Sequence, residues 1–176
     1  MSVPIVVPHS ALVILVGPAG AGKTTFAGAH FRATEVLSSD YLRAVVSDDA
    51  ADMTASPQAF AVLRFIAARR LGRGRLTVVD ATNVHRRDRL PLLRLAHRHS
   101  RPAIAIVFDL ALETCLAQNR RRVGRQVADD VIADQWAAMP RATTELLAEG
   151  FGSVYSFKTP DSVARAIVRV AGGDPG

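Results

Sequence analysis

Ala11-Leu12-Val13-Ile14-Leu15-Val16-Gly17-Pro18-Ala19-Gly20-Ala21-Gly22-Lys23-Thr24-Thr25 passes from an unbroken apolar run into a glycine-rich segment and then into residues that suit a helix. A short apolar run closed by glycine reads as a buried strand, and Lys23 to Arg32 reads as the helix that follows. Gly17, Gly22, Lys23 and Thr24 stand at the spacing of a phosphate-binding loop. Glycines at such positions let backbone N–H groups wrap an anion, and the helix N-terminus adds partial positive charge. Gly17, Pro18, Ala19, Gly20, Ala21, Gly22, Lys23, Thr24 and Thr25 are therefore expected to bind a nucleoside triphosphate such as ATP. Lys23 would neutralise the β- and γ-phosphates and the Thr24 hydroxyl would bind Mg2+. The competing reading is a glycine-rich turn that only joins strand to helix.

Outward from this stretch, strands and helices alternate. Strands are predicted at Glu35–Ser38, Leu76–Val79, Ala103–Phe108 and Ser153–Phe157, beside Ala11–Val16. Helices are predicted at Asp40–Val46, Pro57–Leu71, Asp88–His99 (with Pro91 near its start), Leu112–Asn119, from about Ala128 onward, and at Pro160–Val170. Val131, Ile132, Trp136 and Met139 would share one side of the long helix, which Pro140 would kink or split. Ser47–Ser56 reads as a polar loop. Repeated strand–helix units with apolar strands imply an α/β fold: a five-stranded parallel sheet flanked by helices, in which the strand ending at Asp80 neighbours the one before the loop. We expect a single domain over residues 1–176, frayed at Met1–His9 and Gly172–Gly176.

At 176 residues the chain has enough length to bury a core, and 49% apolar with 22% charged residues argues against general disorder. No apolar run approaches the roughly 20 residues that span a bilayer, so no membrane association is expected. Met1 to Ser10 does not read as a signal peptide. Cys115 is the only cysteine, which excludes an internal disulfide and a CxxC metal site. The expected location is cytoplasmic. The formal net charge is +6, and Lys23 and Lys158 are the only lysines, so the basic charge is nearly all arginine, whose planar fork suits phosphate oxygens. That balance suits a polyanionic partner, although a GC-rich genome would also raise arginine content.

A triphosphate-binding loop is shared by switches, motors and kinases, so the reaction must be read elsewhere. Asp40 follows the second strand, where strand ends face the ligand crevice of an α/β sheet. A carboxylate there could take the proton of an acceptor hydroxyl, or it could be the helix N-cap. Arg43, one turn on, falls on the same side and could hold an acceptor phosphate. Asp80 ends a strand where a carboxylate can hold Mg2+ directly or through water, with Thr82 and Asn83 beside it; a plain strand-end turn is the alternative. Arg120, Arg121, Arg122 and Arg125 fall between two helices, where a lid would close over phosphates. Arg122 and Arg125 are the members expected to face inward, the others forming a solvated or nucleic-acid-contacting face.

These segments together resemble the 5′-hydroxyl polynucleotide kinase domain of bacterial polynucleotide kinase-phosphatase, an RNA end-healing and repair enzyme. The resemblance rests on Gly17–Thr25, on Glu35-Val36-Leu37-Ser38-Ser39-Asp40, on Arg43, on Gly74 to Asn83 with Asp80-Ala81-Thr82-Asn83 at its end, and on the arginine segment through Arg125. Ala105–Phe108 and Glu149-Gly150-Phe151 are also similar. It implies transfer of the γ-phosphate of an NTP to the 5′-OH end of RNA or DNA, with Asp40 as general base and Arg43 on the acceptor. Lys23 and Thr24 would serve the triphosphate and metal, and Arg122 and Arg125 the lid. Thr24 stands where a serine is common, and Tyr41 where a smaller residue is common. Phosphatase and ligase-like modules accompany such kinases, so these are expected partners in cis or in trans.

Two other readings stay open: a small-metabolite kinase acting on a sugar or nucleoside, and a nucleotide-binding regulatory module in which Asp40 is only a cap. His9, His30, His85, His97 and His99 show no ligand spacing. Trp136 and the phenylalanines read as core, as does Cys115.

Overall fold

The computed structural model describes residues 4–141 and 143–172. Five parallel strands form the central sheet: β2 (Leu12–Val16), β3 (Val36–Ser38), β4 (Thr77–Asp80), β5 (Ala103–Phe108) and β6 (Ser153–Phe157), in the order β3-β4-β2-β5-β6. Every residue of β2, β4 and β5 is buried. Central strands of a parallel sheet are covered on both faces, which is why β2 and β5 are continuously apolar. Leu12, Ile14, Val16, Val79, Ala105 and Val107 point to one apolar core, and Val13, Leu15, Val78, Ile104, Ile106 and Phe108 to the other.

The first core is closed by α3 (Ser56–Gly72) and α4 (Arg86–Arg98), through Ala59, Leu63, Ala67 and Leu71 of one and Leu92, Leu93 and Ala96 of the other. The second is closed by α1 (Lys23–His30), α5 (Leu112–Arg120) and α6 (Asp129–Ala137), with Phe26 stacked edge-on against Phe108 and Phe157. The remaining helices are α2 (Ser39–Ser47), α7 (Thr143–Glu149) and α8 (Pro160–Ala164). β3 and β4 lie on one side of β2 and β5 and β6 on the other, so the direction of strand order reverses there. Crevices at such reversals, beyond the carboxyl ends of the strands, are where α/β sheets hold ligands.

The five-stranded parallel sheet and the pairing of β4 with β2 match the sequence reading, as does the split of the long helix at Pro140. Several expectations are corrected. The closing helix ends at Ala164; Val168–Ala171 forms a further strand, β7, paired in parallel with β1 (Ile5–Pro8). The expected fraying of Met1–His9 therefore fails over Ile5–Pro8, where Ile5 and Val7 are buried and Val6 is exposed. β-Branched Ile167, Val168 and Val170 favour that pairing over a helix. Met1–Val3 and Gly173–Gly176 lie outside the described residues. α4 starts two residues earlier than expected, which places Pro91 in its interior, one turn after Arg87. Val131 and Phe65 are exposed, and Trp136 is only half-buried, donating from its indole to the Leu110 carbonyl at 2.9 Å under the Arg141 guanidinium.

Candidate active site

β2 runs into the loop Gly17–Gly22, and α1 begins at Lys23. Gly20 and Gly22 adopt φ of +79° and +89°, a region that L side chains rarely enter. A Cβ on Gly20 would lie 2.2 Å from the Cys115 carbonyl oxygen. The Gly17 N–H donates to the Thr82 carbonyl at 2.9 Å, tying the loop to the end of β4.

Lys23 is buried and its Nζ donates to the Pro18 carbonyl at 2.8 Å. Burial lowers its pKa to about 8, while the nearby Asp80 and Asp40 carboxylates oppose that shift. A desolvated ammonium at the start of a helix, with only a carbonyl as direct partner among the described residues, fits a polyphosphate. Thr24 donates its hydroxyl to Asp80 Oδ2 at 2.8 Å. Burial raises the Asp80 pKa, against the lowering effect of Lys23 and of the Thr24 hydrogen bond. A hydroxyl and a carboxylate side by side are hard oxygen donors of the kind Mg2+ takes, one or two from protein and the rest from phosphate and water. No group of three or more His, Cys, Asp or Glu converges among the described residues.

Asp40 sits in the first turn of α2. The helix cap is Ser38, whose Oγ accepts from the Tyr41 N–H at 3.3 Å. Asp40 therefore does not cap, and its carboxylate is turned to arginines. Arg43 Nη2 pairs with Oδ1, Arg125 Nη1 stands 3.4 Å from Oδ1, and Arg122 Nη2 stands 3.8 Å from Oδ2. The Asp40 side chain remains 37% exposed on the wall of the cleft. Arg43 is buried and also donates from Nε to the Ala50 carbonyl at 2.9 Å, so it clamps Asp40 to the α2–α3 loop. Arg125 reaches the same loop at the Ala50 carbonyl and the Met53 sulfur, both at 3.4 Å.

The segment between α5 and α6 crosses the cleft. Arg121, Arg122 and Arg125 line it, while Arg120 turns away to Asp129 at 2.5 Å. Val123, at the tip, is 99% exposed. Lys23, Thr24, Thr25, Asp40, Asp80 and these arginines thus surround one cleft of about 1230 Å3. Within the arginine segment, Arg122 and Arg125, the two expected to face inward, are the two that reach Asp40, while Arg121, expected on the outer face, also lines the cleft.

Three polar residues that build the site were not singled out from sequence. Asn119 grips both ends of the Val127 peptide unit, donating to its carbonyl at 2.8 Å and accepting from its N–H at 3.0 Å, which pins the base of the arginine segment. Gln135 Oε1 accepts from the Ala19 N–H at 2.9 Å. Arg89 donates to the Asn83 and Val84 carbonyls, each at 2.8 Å, and pairs with Glu149 at 2.5 Å. Arg89 falls on the apolar stripe of α4 with Leu92, Leu93 and Ala96, and that position was the available signal. Asn119 and Gln135 carried none.

No curated protein matches the chain by sequence. Solved structures share its fold. A candidate kinase from Chloroflexus aurantiacus J-10-fl is 19% identical, covers 85% of this chain and 88% of its own, and superposes with a TM-score of 0.60. A chain of the Pnkp1/Rnl/Hen1 RNA repair complex is 22% identical over 75% of this chain, with a TM-score of 0.62, and this chain spans 44% of its length. A gluconokinase from Sinorhizobium meliloti 1021 is 13% identical, with 91% and 89% coverage and a TM-score of 0.57. The five-stranded parallel sheet flanked by helices is the architecture that these structures share with this chain. Residues 12–146, which hold the glycine loop, both aspartates and the arginine segment, match the family model of an AAA domain, and the chain belongs to that family.

Proposed function

We propose that this protein transfers the γ-phosphate of an NTP to the 5′-hydroxyl end of RNA or DNA, in nucleic-acid end healing. The observation that carries the reading is the placement of the uncapped Asp40 carboxylate in the same cleft as Lys23, with Arg43, Arg122 and Arg125 around it. The cleft volume of about 1230 Å3 exceeds the roughly 300–1,000 Å3 usual for one small ligand, which suits a donor and an acceptor together.

Bound with Mg2+ at Thr24 and Asp80, the NTP would supply the phosphoryl group and the metal would offset its charge. The chain's residues do the rest. Asp40 accepts the proton of the acceptor hydroxyl as the oxygen–phosphorus bond forms and the bond to the β-phosphate oxygen breaks. Arg43 holds the Asp40 carboxylate in place from below. Lys23 and the loop amides grip the leaving phosphate, while Arg122 and Arg125 meet negative charge from the opposite side.

The test is transfer from γ-labelled ATP to a 5′-OH oligonucleotide, run beside sugars and nucleosides. Label is expected on the oligonucleotide. Asp40→Ala should lower kcat about 10²–10⁴-fold with ATP affinity nearly unchanged, and Lys23→Ala should weaken ATP binding itself. Label on a sugar or nucleoside alone would establish the small-metabolite reading. Full activity in Asp40→Asn would remove Asp40 from the chemistry.

A further inference from the structure

Positive charge is unevenly placed along the chain. Residues 57–102 hold eleven of its twenty arginines but two of its sixteen acidic residues, Asp80 and Asp88. Asp80 is buried in the active cleft, so Asp88, on the cleft wall beside Arg87, is the one acid on the surface of this segment. The remainder of the chain holds more acidic than basic residues, so this segment carries the whole of the net positive charge.

α4 arranges its share by helical period. Arg89, Leu92, Leu93 and Ala96 point inward. Arg87, Arg94 and Arg98, seven and four residues apart, fall on one outward stripe. All three are exposed, and Arg87 stands on the wall of the active cleft. Because α4 follows the end of β4 and leads back to the start of β5, the stripe runs from the cleft mouth down the flank of the sheet. Among the described residues, Arg94 and Arg98 make no ion pair, and Arg87 approaches only its neighbour Asp88 at 3.9 Å.

Nor does α4 expose a large apolar side chain among the described residues. Protein interfaces are centred on apolar and aromatic anchors, and this stripe offers charge alone. Arg87 to Arg98 spans about 16 Å at about 1.5 Å per residue, the length of roughly four or five phosphates in a stacked strand.

We propose that this stripe is the track of the acceptor strand: the backbone of a single-stranded nucleic acid, its 5′ end in the cleft, runs down α4 with its phosphates on Arg87, Arg94 and Arg98. The inference rests on the polynucleotide reading above and adds a length requirement to it. Contacts made several nucleotides from the reacting end help only acceptors long enough to reach them.

The experiment measures KM and kcat for a 5′-OH dinucleotide and a 5′-OH 12-mer, in the parent and in the double variant Arg94→Ala/Arg98→Ala, with thermal melting to confirm that the variant folds. In the parent, the 12-mer should have the lower KM. The double variant should raise the 12-mer KM about tenfold, leave the dinucleotide KM and both kcat values unchanged, and flatten the log–log salt dependence for the 12-mer by about 1.4. Equal KM for the two acceptors in the parent, or a 12-mer KM unmoved by the double variant, overturns the track and leaves the stripe to another anionic surface, such as an acidic protein. Failure of every oligonucleotide to take label, with a sugar or nucleoside labelled instead, overturns the polynucleotide reading itself.

Discussion

Replacing Arg89 by methionine tests how the end of β4 is held. Arg89 and Glu149 are 1% and 4% exposed, 2.5 Å apart, and remote in sequence. The guanidinium also donates to the carbonyls of Asn83 and Val84, so one side chain ties the turn after Asp80 to the end of α7. Methionine keeps the length of the stem and fills much of the same space. It leaves the Glu149 carboxylate buried without a cation and the two carbonyls without their donor. Removing one partner of a buried pair costs about 3–5 kcal/mol. For a chain of this size that is a fall of about 6–20 °C in Tm. Urea unfolding followed by circular dichroism gives the free energy directly. A second variant, Arg89→Met with Glu149→Leu, removes both charges and should recover part of the loss, since an apolar replacement of a whole buried pair is often neutral. The reasoning is refuted if Arg89→Met costs less than about 1 kcal/mol, the range of an exposed pair, or if the double variant is less stable than the single one.

Three further outcomes are expected. Gly20→Ala should abolish ATP binding in a filter or fluorescence assay, because a Cβ would meet the Cys115 carbonyl at 2.2 Å in a backbone already at φ +79°; ATP affinity equal to the parent's would contradict the loop geometry. Asn119→Ala removes both hydrogen bonds to Val127 and should speed tryptic cleavage after Arg120, Arg121, Arg122 or Arg125, at a cost of about 1–3 kcal/mol; unchanged digestion would mean the segment is held by something else. Cys115 is fully buried, and burial raises its pKa, so the reactive thiolate is scarce in the folded protein. Thiol reagents at pH 8 should label it only as the protein unfolds, and rapid labelling of the native chain would place it elsewhere.

The sequence by itself determined the order of strands and helices between Leu12 and Phe157, the glycine loop and both aspartates. Strands such as Leu12–Val16 and Ala103–Phe108 are buried on both faces and so leave an unbroken apolar run, and the loop needs glycine where φ is positive. These are local demands that a short stretch of residues can express. Arg122 and Arg125 were legible as a cluster, but only the tertiary structure decided that they meet Asp40, because α2 and the arginine segment come together through the packing of the sheet. It also decided that Ser38, and not Asp40, caps α2, a choice between neighbouring residues that both suit the role. The pairing of β1 with β7 joins the two ends of the chain, and residues 160–170 taken alone carry a helical pattern as readily as an extended one. Arg89, Asn119 and Gln135 owe their roles to backbone groups far away or across a loop. A polar side chain announces its chemistry in the sequence, but its partner is fixed only when the elements pack.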